Sequence, residues 1–341
     1  MFIGPDGCAD QNGITAVTSI VYRSISHLQQ IAAILTVILT VPAIYLLHYK
    51  CPFQSATRLL LVIAVFFANT LAGVTFVMET GAVFRSYMFS EKPCEITIKT
   101  TDCFYHSLFA IFSCSGLIVI PYALSVDRVI STLFPKFYDR FGMGVCAILC
   151  FITIFYSAFT TYYLADPNAP SEIYLRCTDV ASYRMAPLAT FINYNAMVLI
   201  SCVFITIFVI MINRRRENRI RFDIKIRYRQ REALLTSQVV CWITLVLVFG
   251  FSLYIGSRVV FRTLKLDSST LWVYLLGRAL YTFPYAAAAT PGTILYAFQY
   301  VKSQRSNIIK DLTTARETTG SRMKELNVMW TTFYNNKYTH F

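Results

Sequence analysis

With 341 residues, 56% of them hydrophobic and 14% charged, the chain carries too little charge to cover a water-soluble core, for which about 25% is usual. Its net charge of +13 is concentrated in one loop and the C-terminal tail, beside apolar segments. That placement argues for an anionic membrane surface and a cytosolic partner, and against nucleic acid.

Crossing about 30 Å of hydrocarbon takes roughly 20 uncharged residues. Stretches of that kind are predicted, in chain order, at Leu28–Leu47, Arg58–Met78, Phe104–Val126, Met143–Leu164, Leu188–Ile212, Ala233–Ser257 and Leu271–Phe298. Each is apolar on all sides, whereas membrane strands alternate over about 10-residue segments, so the predicted fold is an all-α seven-transmembrane helix bundle. Residues 1–27 then form an N-terminal segment, 28–298 the membrane domain and 299–341 a tail. No removable signal peptide is expected in 1–27, so the first span is assigned the role of insertion signal. No Asn-X-Ser/Thr sequon occurs, and N-glycosylation is not expected.

Of the 31 Lys and Arg residues, 21 fall in the loops and tail on one side and 9 on the other; the last is Arg278, inside a span. Basic residues accumulate on the cytoplasmic side, which places the N-terminus outside and the tail inside. The tail is expected to begin as an amphipathic helix on the inner leaflet, with Phe298, Val301, Ile308 and Leu312 toward lipid and Lys302, Arg305 and Lys310 near phosphates. Thr313, Thr314, Thr318, Thr319 and Ser321 beyond or at its end offer hydroxyls for regulatory phosphates. No cysteine follows Cys241 to carry a palmitoyl anchor.

Four cysteines (Cys8, Cys94, Cys103 and Cys177) fall in the oxidising compartment, and six (Cys51, Cys114, Cys146, Cys150, Cys202 and Cys241) within or under the membrane. Four cysteines allow three pairings, which sequence alone leaves open. Cys103 lies at the outer mouth of the third span and Asp127-Arg128 at its inner end, 25 residues on from Cys103 to Arg128. At 1.5 Å per residue this is about 37 Å, one membrane crossing with its polar ends. In this layout the chain resembles the rhodopsin-type architecture of G protein-coupled receptors. The resemblance implies a Cys103–Cys177 bridge, with Cys8 and Cys94 left as a second pair, and a switching role for Asp127 and Arg128.

A closer resemblance lies in Arg227-Tyr228-Arg229-Gln230-Arg231-Glu232-Ala233-Leu234-Leu235. This stretch is similar to the basic-Tyr-X-X-X-Glu start of the sixth helix in nematode serpentine chemoreceptors of the Sra superfamily, as are the aromatic-rich spans, the short tail and the several outer cysteines. What it implies is a G protein-coupled chemosensory receptor for an environmental or pheromonal small molecule, in the plasma membrane of sensory neurons at their cilia, acting in olfaction. Implied partners are a heterotrimeric G protein, a receptor kinase, arrestin and the lipid bilayer. Arg227, Arg229 and Glu232 join Asp127 and Arg128 as candidate coupling residues, and Glu232 is placed to meet Arg128 across the inner mouth in the resting state.

The departures from the rhodopsin-type pattern are as informative. The second span has Asn69 where an acidic residue would hold sodium; Cys241-Trp242 lies too close to the cytosol for an aromatic switch and is assigned to packing. Thr290-Pro291 followed by Tyr296 is either an altered Asn-Pro-X-X-Tyr element or a simple proline kink. Ala110 stands where an amine receptor carries its acidic counter-ion, and span seven has no lysine for retinal, so neither a biogenic amine nor a chromophore is expected.

A helix-bundle ligand site belongs between the outer halves of the spans, and its candidate polar residues are Glu79, His106, Asn193, Asn195 and Arg278. An ionisable residue inside a span is costly, so Arg278 either meets an anionic group on a ligand, pairs with another buried residue, or snorkels to the headgroups. No paired carboxylates, Cys-X-X-Cys, His-Glu-X-X-His or Gly-rich phosphate loop points to an enzyme, a metal or a cofactor. The alternative to a receptor is a transporter or ligand-gated channel, against which stands the expected lack of broken spans in matching halves and of a chain of buried ionisable groups. An insect-type odorant channel would need the N-terminus inside, opposite to the charge count.

Overall fold

The computed structural model describes residue 3 and residues 7–49, 55–164, 172–177, 185–219, 224–264 and 270–314, with short pieces between 323 and 331. Among these residues the chain is helical apart from one two-stranded ribbon, and six helices are long and apolar enough to cross a membrane. The first, α2, follows the short helix α1 (Gln11–Thr18) and runs Ile20–Tyr49. Its side chains are arranged for lipid: Leu28, Ile31, Leu35, Ile38 and Val41 are exposed, while Gln29, Ala32, Ala33, Thr36, Thr40 and Ala43 are buried. Large apolar groups face outward and small or polar ones inward because lipid offers no hydrophobic gain for burial, and small residues let helices approach. The buried hydroxyl of Thr36 donates back to the Ala32 carbonyl at 2.8 Å, so it costs nothing to place there.

Helix α3 (Ser55–Met88) returns beside α2, and α4 (Thr100–Leu133) packs against α3, α5 (Pro135–Leu164), α6 (Met185–Arg219) and α7 (Ile224–Thr263). α4 is the central post, and its buried face is rich in small residues: Ser113, Ser115, Gly116, Ala123 and Ser125. Gly116 is the closest approach. A Cβ there would lie 2.3 Å from the ring of Phe67 on α3, so the absent side chain is what admits the ring.

At the end of the bundle where the chain begins, the structure is more built than a loose N-terminal segment. Asp10 caps α1, its Oδ1 accepting from the Gly13 N–H at 2.6 Å, and Ser19 breaks α1 from α2 in extended conformation. Helix α2 thus starts eight residues before the expected Leu28. Ala9, Ala16 and Val17 pack with Tyr22, Ile96, Leu175 and Leu275 in a small core over this end. The ribbon pairs β1 (Ile98–Lys99) antiparallel with β2 (Ile173–Tyr174), and two disulfides, Cys8–Cys94 and Cys103–Cys177, fasten these segments to one another and to α4.

The run Leu271–Phe298, expected as a seventh span, is not a single helix. It is split into α8 (Leu271–Ala279) and α9 (Phe283–Thr314), with Leu280, Tyr281 and Thr282 outside helical conformation. Pro284 explains the break: it has no N–H to give the Leu280 carbonyl, and its ring would clash with that carbonyl in a continuous helix. In the first turn of α9 neither defect matters, since those N–H groups have no intrahelical partner. The Thr282 hydroxyl donates to the Gly250 carbonyl of α7, which fixes the break against its neighbour. Pro291 lies inside α9 without ending it, and Asn69 donates to Thr40 Oγ1 at 2.7 Å and to the Val65 carbonyl.

Residues 299–341 form a separate compact unit from residues 1–298. Its first part is the end of α9, which continues to Thr314. Val301, expected to face lipid, is instead buried. The side chains of Ile308, Lys310, Leu312, Thr313 and Thr314, the whole of Thr318, Thr319 and Ser321, and Cys51 lie outside the described residues.

Candidate functional site

Below the ribbon, the bundle encloses a cavity of about 180 Å³ between α4, α6, α7 and the break in span seven. One wall is α4, through Cys103, Ser107, Ala110, Ile111, Cys114, Ser115 and Ile118, all on the face that its helical period turns inward. Opposite lie Phe251, Tyr254 and Ile255 of α7 and Tyr281 and Phe283 at the break, whose rings form one cluster with centroids 4.8–5.9 Å apart. α6 adds Leu188, Phe191 and Asn195, and the segment from β2 to the bridge adds Tyr174, Arg176 and Cys177 as a roof. The Cys103–Cys177 bond, with S–S 1.98 Å, holds that roof to the head of α4, and Ser107 donates to the Cys177 carbonyl at 3.5 Å.

Of the five sequence-predicted ligand residues, Asn195 alone lines this cavity, accepting from Tyr156 OH at 3.3 Å and donating to the Phe191 carbonyl. Asn193 is exposed, and His106 lies outside the lining with its Nδ1 buried. Glu79 and Arg278 are brought together, but behind the cavity wall. Arg278, 1% exposed, donates from Nη2 to Glu79 Oε2 and to Ser26 Oγ, and its guanidinium carbon sits 3.7 Å above the ring of Tyr22. Gln29 donates to the Arg278 carbonyl at 3.5 Å. α2, α3 and α8 are thereby knotted together, and Arg278 pairs rather than snorkels. The knot adjoins the cavity through chain neighbours, since Met78 precedes Glu79 and Tyr281 follows Arg278 by three residues.

At the other end of α4, Asp127 and Arg128 are almost fully buried in a second network. Asp127 Oδ2 accepts from Arg128 Nη2 at 2.5 Å, Arg128 Nε at 3.1 Å and Thr57 Oγ1 at 3.1 Å; Oδ1 accepts from Tyr138 OH at 2.6 Å. Arg128 Nη2 also donates to Thr57 Oγ1 and, at 3.2 Å, to Tyr138 OH. A buried carboxylate with four donors and a guanidinium with three acceptors compensate each other's lost hydration. Close by, Asn213 of α6 donates from Nδ2 to Thr132 Oγ1 on α4 and to Ser237 Oγ on α7, each at 3.2 Å. The expected contact from Arg128 to Glu232, and the side chains of Arg227 and Arg229, lie outside the described residues. Trp242 is half exposed, against Tyr296 at 6.4 Å between centroids.

Thr57, Tyr138, Asn213, Arg176 and Tyr281 are not among the residues expected from sequence. The first three are ordinary residues whose meaning comes from partners 70 and more positions away, or from across a turn. Arg176 did carry a signal: a residue beside a bridging cysteine is held over the mouth of the bundle.

A polytopic helical bundle with a roofed internal cavity at one end and a buried charge network at the other has the form of a membrane receptor. Comparison with known proteins agrees. The chain belongs to the family described as serpentine type 7TM GPCR chemoreceptor Sra, whose sequence model matches residues 5–330. It is 29% identical over 328 residues to serpentine receptor class alpha-10 of Caenorhabditis elegans, covering 95% of this chain and 97% of that protein. It is 27% identical over 326 residues to serpentine receptor class alpha-10 of Caenorhabditis briggsae, with the same coverage, and 26% identical over 327 residues to serpentine receptor class alpha-11 of Caenorhabditis elegans, covering 95% and 97%. The protein is thus a multi-pass membrane protein of a chemoreceptor family, a family of receptors and not of enzymes.

Proposed function

We propose that the protein binds a small chemical in the roofed cavity from outside the cell and, in response, activates a heterotrimeric G protein at the opposite end of the bundle. The observation that carries this reading is the placement of the two polar centres on one helix: α4 lines the cavity with its first half and ends in the Asp127–Arg128 network. The N-terminus and both disulfides lie outside, as the distribution of Lys and Arg requires. Asn195 is the ligand contact retained from the five predicted. Glu79 and Arg278 act one layer back, where a ligand pressing on Tyr281 or Met78 reaches them. Ligand binding shifts a population that already exists, so it needs differential contact with two states, and the unwound Leu280–Thr282 segment is the element best placed to move.

On the cytoplasmic side, Asp127, Arg128 and the basic stretch containing Arg227, Arg229 and Glu232 form the coupling surface. The buried network holds Arg128 inward in the resting state, and Glu232 adds a partly exposed pairing worth about 0–1 kcal/mol. Kinase and arrestin act on the tail, and the sensory cilium is the proposed location.

The test is a screen of small volatile and water-soluble chemicals in cells expressing the chain, with a G-protein readout. An active compound should lose its effect in Ala110→Trp, which fills the cavity, at matched surface expression. A current that persists without any G protein would instead support a channel.

A further inference from the structure

Among the described residues that line the cavity, every side chain is uncharged except one. Arg176 is 8% exposed and, with Tyr174 of β2, lines the cavity roof. Its main chain is tethered, because Cys177, the next residue, is bonded to Cys103. Its guanidinium lies 5.7 Å from the centroid of the Tyr274 ring, a cation–π distance that steadies the plane of the fork. Among the described residues that line the cavity there is no carboxylate. Glu172 accepts from the hydroxyl of Tyr174 at the edge of the roof, and Glu79 is taken up by Arg278 behind the wall. The rest of the lining includes hydroxyl and amide groups (Ser107, Asn195), aromatic rings (Phe191, Phe251, Phe283) and aliphatic side chains of α4, α6 and α7.

Building on the reading of this cavity as the ligand site, we propose that its ligand is a small amphiphilic organic anion, a carboxylate or sulfate with an apolar body, whose charged group is held by Arg176. A guanidinium fork matches the two oxygens of a carboxylate or sulfate, and does so more strongly where water is excluded. A cation would be repelled, and a neutral ligand would lose the largest polar interaction the cavity offers. Arg176 takes part in further interactions within the fold, so the anion joins or displaces these and does not meet a bare charge. The contact to an anionic group, one of three readings of Arg278 from sequence, thus passes to a loop residue.

The experiment uses the full chain purified into phosphatidylcholine nanodiscs, with thermal unfolding followed against matched pairs of probes: phenylacetate and its methyl ester, phenyl sulfate and phenol, octanoate and octanol. The expected result is that at least one anion stabilises the wild type at lower concentration than its neutral partner. That preference should fall about 10- to 100-fold in Arg176→Gln and be partly kept in Arg176→Lys, which retains the charge and loses the fork. Equal behaviour within every pair in the wild type overturns the proposal, and needs no variant to fold. So does an anion preference that survives in Arg176→Gln. Neutral probes that bind equally well, and are blocked by Ala110→Trp, would overturn the anion class and leave the cavity as the ligand site. Probe effects indifferent to Ala110→Trp would remove the cavity reading itself.

Discussion

Glu79 and Arg278 show how a single residue acquires its meaning from one partner. Taken singly, each is an expensive charge within the bundle. Together, with Ser26 and the Tyr22 ring, they form a neutral polar knot. Removing one partner of a buried pair costs about 3–5 kcal/mol, because the other is left uncompensated, while replacing both by apolar groups is often neutral. Glu79→Ala is therefore expected to abolish most surface expression, measured by labelling of intact cells, and Glu79→Leu combined with Arg278→Met to recover a large part of it. The Tyr138 hydroxyl presents a milder case. It gives one hydrogen bond to Asp127 and takes one from Arg128, so Tyr138→Phe should cost about 1 kcal/mol of the resting network. The expected outcome is a few-fold rise in ligand-independent signalling at matched expression. Glu232→Gln should have a smaller effect in the same direction, and an Arg128 variant should impair coupling while ligand binding survives.

Between helices, the fit depends on what is absent as much as on what is present. Gly116 of α4 leaves room for the Phe67 ring of α3, and a branched side chain there has no space. Overpacking of this kind typically costs 1–3 kcal/mol, so Gly116→Val should lower the thermal midpoint of the purified receptor by several degrees, and the smaller ring in Phe67→Leu should restore part of it. Among the described residues six of the seven expected runs are helices long and apolar enough to cross a membrane, and they were legible because a lipid-facing helix must be apolar around its circumference. The break in the seventh run was not legible. Two prolines stand in that run, and the sequence reading weighed Pro291 as the kink, whereas Pro284 ends the ladder because it falls where α7 offers Thr282 a carbonyl to hold. The expectation concerned breaks in matching halves, and the break described lies in one run. A transporter fold would need a counterpart in the other half, and α2 to α5 are continuous.

Across the whole molecule, the two disulfides close chain segments of 86 and 74 residues over the same end. Each is expected to contribute about 2–5 kcal/mol. Cys103→Ala or Cys177→Ala should be the more damaging, since that bridge also shapes the cavity roof; loss of ligand response together with surface delivery is the outcome to measure. An epitope placed before Cys8 should be reached by antibody in intact cells, as the charge distribution demands. The architecture was thus readable from composition, and so were the cysteines that matter. Partner identities were not: Thr57 and Asp127 lie 70 residues apart and Glu79 and Arg278 199, and no local pattern connects such positions.

That last separation has a consequence for how the chain is made. α8 has nine residues, too few to cross a membrane alone, and it carries the guanidinium that Glu79 needs. Ribosomes add about 5–20 residues per second, so Glu79 is inserted roughly 10–40 s before its partner exists. For that interval the half-built receptor holds an uncompensated polar group in the bilayer, a natural handle for the machinery that retains unfinished membrane proteins. A chain truncated between Glu79 and Arg278 would keep that group without its partner, so completion of the knot between α3 and α8 waits on translation reaching α8.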